Sequence, residues 1–222
     1  MKSNKAILFD WGGVIELPVH TKPVYSYHDM HAEAVRTVFP QLTNRSSEEL
    51  FNDLYEGAWW LASEKSLQVM IDYFADRLQH MKLDPKQAEL YLDAVISVSH
   101  KVSFSQQVVD YLYNLNKRCT AGVLSDLALI DIPRIKAQIN QAYVDKYYLS
   151  CEIGKSKWNG KIFRYVTDDL GVKPDNILFI DDKTRNVEQA REHGWNSFQA
   201  TAFDLDFIRS MCEDFLDEEV YE

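Results

Sequence analysis

Asp10 is the first residue placed to do covalent chemistry. It ends the apolar run Ala6-Ile7-Leu8-Phe9 and is followed by Gly12-Gly13. An aspartate at a strand end can attack an electrophile and form an ester or an acyl-phosphate. A phosphate is open to an anionic nucleophile only if its charge is offset. Mg²⁺ does this when a few carboxylates hold it and leave it several waters. Asp182 is a second carboxylate for such an ion, and Asp181 is a third ligand or an outer partner. A hydroxyl and a lysine would complete a phosphate cradle, with Ser125 and either Lys155 or Lys157 as candidates. Gly12 and Gly13 permit close backbone approach, so N–H groups after Asp10 can add donors.

These clusters need elements to carry them. Ala6–Phe9 reads as a buried strand stopped by a tight turn. From Pro18 to about His100 the pattern predicts four helices. Ser46-x-x-Glu49 is a capping box, and Asp84-Pro85 is an N-cap with proline at the first helical position. Leu67, Met70, Ile71, Phe74 and Leu78 recur at helical spacing, as do Leu90, Ala94 and Val98. The second half then alternates. Val108, Leu112 and Leu115 mark a helix, and Thr120 to Leu124 a strand ending at Ser125. Ile130 to Ile139 reads as a helix, Tyr147 to Cys151 as a strand, and Ile162 to Leu170 as a helix stopped by Gly171. Ile177 to Ile180 is a strand ending at Asp181-Asp182, and Val187 to His193 a helix stopped by Gly194. Ser197 to Ala200 is a fifth strand and Phe203 to Leu216 a last helix. Such alternation implies an α/β fold, a parallel sheet with helices on both faces. The early helices then form an insertion after the first strand. Residues 1–16 and 101–222 are expected to make the α/β core domain and 17–100 a helical cap domain. Asp10, Ser125 and Asp181-Asp182 all fall at carboxyl ends of strands, where open parallel sheets bind ligands.

Composition limits the partners. The 222 residues carry 24 Lys and Arg against 34 Asp and Glu, a formal charge of −10. With 46% hydrophobic residues the chain reads as globular. The acidic balance argues against nucleic acid or an anionic membrane as a general partner. No apolar stretch approaches membrane-spanning length, and the run ending at Asp10 is too short for a secretory signal, so a cytoplasmic protein is expected. Cys119, Cys151 and Cys212 are three and widely spaced, which fits buried thiols and no disulfide framework. Glu213 to Glu222 reads as a solvated acidic helix end.

Four segments, in order, resemble the motifs of the haloacid dehalogenase (HAD) superfamily. Phe9-Asp10-Trp11-Gly12-Gly13-Val14-Ile15 is similar to its nucleophile motif and Val123-Leu124-Ser125-Asp126 to its second. Ser150-Cys151-Glu152-Ile153-Gly154-x-x-Lys157, followed by Ile162-Phe163, resembles the third. Leu178-Phe179-Ile180-Asp181-Asp182 with Asn186-Val187 resembles the fourth. The resemblance implies a HAD-like Rossmannoid sheet with an inserted helical cap, in the phosphatase branch that includes sugar-phosphate phosphatases. It implies Asp10 as nucleophile and metal ligand and a Gly12 carbonyl on Mg²⁺. It also implies Ser125 on the transferring phosphoryl group and Lys157 neutralising Asp10 and phosphate. Asp182 would be a metal ligand, with Asp181 beside it, bound directly or through water. Lys155 and Lys161 compete with Lys157, which the spacing from Glu152-Ile153-Gly154 favours.

Three positions depart from the family pattern. Many phosphatases of this superfamily carry a general acid and base where this chain has Gly12. Leaving-group protonation must then come from water, the substrate or a cap residue; His20, His28 and His31 are candidates. Trp158-Asn159-Gly160 replaces a common Pro-Asp-Pro, and Asp126 a common asparagine. Of Trp59 and Trp60, one is expected in the core and the other is a candidate to line a pocket, whereas Trp11 and Trp195 read as packing residues. The histidines lack metal-ligand spacing. The resulting expectation is a Mg²⁺-dependent phosphatase acting on a small phosphorylated metabolite, a sugar phosphate among them, through an aspartyl-phosphate. The alternatives are a 2-haloacid dehalogenase and a catalytically weak interaction protein on the same fold. The missing acid at Gly12 and the extra carboxylate at Asp126 motivate the second of these.

Overall fold

The computed structural model describes residues 2–18, 25–139 and 143–218. Five parallel strands form one sheet in the order β3-β2-β1-β4-β5: β1 Ala6–Phe9, β2 Thr120–Ser125, β3 Lys146–Leu149, β4 Ile177–Asp181 and β5 Asn196–Gln199. The central strand β1 is an unbroken apolar run because both its faces are covered. Ile7 and Phe9 pack into one core with Val123, Ile180 and Phe198, while Ala6 and Leu8 pack into another with Phe163, Phe179 and Trp195. Each fully buried aliphatic or aromatic side chain contributes roughly 1.5–3 kcal/mol. At Gly122 a Cβ would lie 2.8 Å from the Lys146 carbonyl oxygen, so only glycine lets β2 and β3 pair at that point.

Between β1 and β2 the chain builds α1 Tyr27–Val38, α2 Ser47–Tyr55, α3 Leu67–His80 and α4 Ala88–Val98, followed by α5 Gln106–Leu115. The first four share a core of their own that includes Met30, Val35, Leu50, Phe74 and Tyr91. The Ser46–Glu49 capping box starts α2, and Asp84 caps a short 3₁₀ turn, Pro85–Gln87, that leads into α4. Two expected core positions are displaced: Leu67 and Leu90 are 54% exposed. The buried stripe of α4 runs through Tyr91, Leu92, Ala94 and Val95 instead, because Tyr91 supplies a hydroxyl that the interior uses. Trp60 is half-buried and packs edge-on against Tyr73; the side chain of Trp59 lies outside the described residues.

The remaining helices follow the expected alternation: α6 Ile132–Gln138, α7 Ser150–Ile153, α8 Lys161–Leu170, α9 Thr184–Glu192 and α10 Leu205–Asp217. The strand expected through Cys151 stops at Leu149, and Ser150 opens the single-turn α7, closed by Gly154 at φ 76°. The Ser150 hydroxyl explains this. It accepts from the Leu127 amide at 2.9 Å and donates to the Ala62 carbonyl, so it belongs to a junction with the helical block and not to the sheet. Cys119, Cys151 and Cys212 are buried free thiols. Glu213, expected in a solvated tail, forms a bidentate pair with Arg118, at 2.7 Å for each bond. Among the described residues no helix is long and apolar enough to cross a membrane.

Candidate active site

Asp10 continues the sheet one residue past β1, its amide donating to the Ile180 carbonyl at 2.8 Å. That fixes its side chain at the carboxyl edge, 3% exposed, between the ends of β2 and β4. Three donors converge on one of its oxygens, Oδ1: the Trp11 amide at 2.7 Å, the Ser125 hydroxyl at 2.6 Å and Lys157 Nζ at 2.8 Å. These come from the turn after β1, from the end of β2 and from the loop after α7. The first lies more than a hundred residues before the other two in sequence, and the parallel sheet brings them together.

Lys157 is 1% exposed, and its ammonium also reaches Asp181 Oδ2 at 2.7 Å. Burial would lower its pKa, but Asp10, Asp181 and Asp126 surround it and raise it. It therefore stays charged at every working pH. Lys155, its competitor, stands over the Tyr165 ring with its nitrogen 5.1 Å from the centroid, which leaves Lys157 as the lysine of the site.

Asp126 faces the backbone of the lysine-bearing loop. Its Oδ1 accepts the Lys157 amide at 2.8 Å and its Oδ2 the Trp158 amide at 3.3 Å, so it holds the loop that carries the lysine. Burial raises its pKa. A loop without the common Pro-Asp-Pro needs such an anchor, and a carboxylate accepts from two amides where an asparagine carbonyl offers one oxygen.

Asp10, Asp181 and Asp182 offer ligand atoms that all lie within 4.8 Å of one another. They are not equivalent. Asp181 is fully buried and committed to protein donors: Lys157 Nζ, the Lys183 amide at 2.8 Å, and Asn186 Nδ2 at 3.0 Å to both oxygens. Asp182 has a buried oxygen, Oδ1, with no hydrogen-bond partner. Burial and then the charge of Asp10 raise its pKa to about 6. An orphaned carboxylate oxygen beside a second carboxylate fits a hard divalent cation such as Mg²⁺, which takes carboxylate oxygens and water. Gly13 makes room for this group. It has φ 78°, and a Cβ there would lie 2.6 Å from Asp182 Oδ2. At Gly12 a Cβ would meet nothing within 4 Å, so the space where a side-chain acid could stand is open.

The histidines considered as acids lie elsewhere or outside the described residues. His20 falls in the undescribed segment. His28 stacks on Phe51 with ring centroids 3.9 Å apart. His31 is fully buried among helices α1, α2 and α4, Nδ1 2.6 Å from the Tyr91 hydroxyl and Nε2 3.0 Å from that of Tyr55. Burial, and next Arg134, push its pKa well below the ordinary value, so it is a neutral core histidine.

Sequence reasoning passed over Glu16, Asp131 and Arg134. They form a buried ion cluster in which Arg134 Nη1 lies 2.6 Å from Glu16 Oε2 and Nη2 3.2 Å from Asp131 Oδ1. Nothing in their spacing announces it, because Glu16 and Arg134 are 118 residues apart.

Comparison with known proteins bears on the family and the fold. A family model described as haloacid dehalogenase-like hydrolase matches residues 4–194. The chain is 26% identical over 203 residues to a D-ribitol-5-phosphate phosphatase of Bacteroides thetaiotaomicron, covering 88% of this chain and 91% of that protein. It superposes on a crystal structure of a HAD family enzyme from Bacteroides thetaiotaomicron with a TM-score of 0.67 and 23% identity, over 91% of this chain and 98% of that one. A crystal structure of that enzyme with magnesium and inorganic phosphate gives a TM-score of 0.62 and 22% identity, over 89% and 94% of the two chains. At these identities the superpositions speak for the fold alone. The family match spans most of the sequence, and the chain belongs to the haloacid dehalogenase-like hydrolases.

Proposed function

We propose that this hydrolase is a Mg²⁺-dependent phosphatase of a small phosphorylated metabolite, a sugar or polyol phosphate. One observation carries the reading: a lysine, a hydroxyl and a backbone amide converge on Asp10 beside the orphaned oxygen of Asp182. Those three donors are what a phosphoryl group needs on arrival, since they offset charge on its oxygens without reorganising. The relative named for D-ribitol-5-phosphate and the fold neighbour solved with magnesium and phosphate support it.

In this mechanism an Asp10 oxygen attacks phosphorus, the bond to the leaving oxygen breaks, and an aspartyl-phosphate forms. Ser125, Lys157 and the Trp11 amide move from Asp10 to the phosphoryl oxygens. Water then attacks phosphorus, releases phosphate and restores the Asp10 carboxylate. Asp10, Asp182 and the Gly12 carbonyl would hold Mg²⁺, with Asp181 beside them as the partner of Lys157. The ion, when bound, supplies Lewis-acid charge stabilisation. With Gly12 in place of an acid, the leaving oxygen takes its proton from water or from the substrate. Residues 17–100 act as a cap over residues 1–16 and 101–222.

The test is phosphate release from a panel of sugar, polyol and nucleotide phosphates, with Mg²⁺ and with a chelator. Turnover that needs Mg²⁺ and is lost in Asp10→Asn is expected. Full activity in Asp10→Asn would remove the nucleophile assignment, and halide release from a 2-haloacid without Mg²⁺ would replace the whole reading.

A further inference from the structure

Glu16 stands where the chain leaves the sheet for the helical block. It bridges antiparallel to Phe104, where the chain returns, and Leu17 and Ser105 add backbone bonds to Ser103 and Ile15 on either side. Its Oε2 accepts two donors at once, the Trp11 indole N–H at 2.9 Å and Arg134 Nη1 at 2.6 Å. Arg134, near the start of α6, is held in turn by Asp131. The other oxygen of Asp131 accepts the Tyr27 hydroxyl at 3.2 Å, from the first residue of α1. Arg134, Glu16 and Asp131 have side chains only 1%, 6% and 2% exposed.

A buried ion cluster is weak evidence for stability, because apolar residues of equal volume often do as well. Its position is more informative. Trp11 adjoins the nucleophile, and its backbone N–H is one of the three donors on Asp10 Oδ1. Tying down the Trp11 indole fixes the peptide plane that aims this N–H. In the cluster the tie also runs to the crossing at Glu16 and to the start of α1.

We propose that Glu16 and Arg134 are positioning residues for the reaction at Asp10. They act through the Trp11 indole and couple the seating of the helical block, through Tyr27 and Asp131, to the aim of the Trp11 amide. This rests on the phosphatase reading above. Misplacing a catalytic donor by about 1 Å can cost about 10²-fold in rate. Lys157, Ser125 and the metal carboxylates are not part of the relay, so ground-state binding of phosphate should survive its loss.

The experiment is a double-mutant cycle of Glu16→Leu and Trp11→Phe, read as kcat and KM for a phosphate ester with Mg²⁺, beside thermal unfolding. Each single variant is expected to lower kcat about tenfold or more while KM moves less than about threefold. The double variant should fall no further than the worse single one, because both act through one contact. Tyr27→Phe should lower kcat by a smaller factor. Should Glu16→Leu fail to fold, the cycle of Trp11→Phe with Tyr27→Phe takes its place, with the same non-additivity expected. Independent, multiplying losses overturn the proposal, as does a lowered unfolding temperature with unchanged kcat. A wild-type chain inactive on every phosphate ester would instead overturn the phosphatase reading and this inference with it.

Discussion

Replacing Lys157 with methionine tests the electrostatics of the site without reference to any substrate. The ammonium sits 2.8 Å from Asp10 and 2.7 Å from Asp181, and both carboxylates are almost fully buried. Methionine keeps the length of the stem and removes the ammonium those two carboxylates share. Breaking a buried pair in this way costs about 3–5 kcal/mol, mostly because a charge is left without compensation. With urea m-values of a few kcal/mol/M, the unfolding midpoint should fall by roughly 1–2 M. The deficit should also depend on pH. Burial already raises the pKa of Asp10, and Lys157 is the largest force pulling it back down. Without the lysine, Asp10 binds its proton more tightly in the folded chain than in the unfolded one. Stability of the variant should therefore rise as pH falls through the raised pKa and level off below the ordinary carboxylate value of about 3.9. The wild type should show the same sign more weakly, from Asp182 near pH 6. Mg²⁺ should recover part of the variant's loss by supplying positive charge to Asp10. A variant as stable as the wild type, or a deficit constant from pH 4 to pH 8, would refute the placement of Lys157 between Asp10 and Asp181.

Three further outcomes can be measured. Gly13→Ala should weaken Mg²⁺ binding and turnover together. Its Cβ collides with Asp182, and a non-glycine residue at φ 78° costs about 1–2 kcal/mol, so calorimetric Mg²⁺ titration and an unfolding curve both report it. Mg²⁺ affinity of the wild type should fall up to about tenfold per pH unit below pH 6 with proton release on binding, because the metal requires ionised Asp182; affinity flat from pH 5 to pH 8 would count against Asp182 as a ligand. Gly12→Asp should fit without strain, since its Cβ enters open space, and should raise turnover of alkyl phosphates by about 10²-fold while changing aryl phosphates little, because only the alkoxide needs a proton to leave. Equal effects on both classes would show that an acid already serves the site.

The sequence by itself determined the strands and the polar groups at their ends. Apolar runs closed by Asp10, Ser125 and Asp181-Asp182 are local signals: buried strands with polar groups at their carboxyl edge, legible because every residue of each run except the half-buried Thr120 is buried whichever face it takes. The capping box at Ser46 and the helix stop at Gly171 were legible for the same local reason. Periodicity misled at Leu67 and Leu90, because it reports which residues are apolar and not which face a neighbouring helix covers. Tertiary structure alone decided the division of labour among the acids. Asp181 and Asp182 are adjacent and of one type. Their roles separate because Lys157, Asn186 and the Lys183 amide, brought in from three places, saturate the first and leave an oxygen of the second unpaired. Asp126 turned from an unwelcome charge into a loop anchor because it meets the amides of 157 and 158. The Trp11–Glu16–Arg134–Asp131–Tyr27 relay was invisible in sequence for a related reason. Hydrogen bonds between side chains act over 3 Å in space, and the closing contact between Tyr27 and Asp131 spans 104 residues of chain.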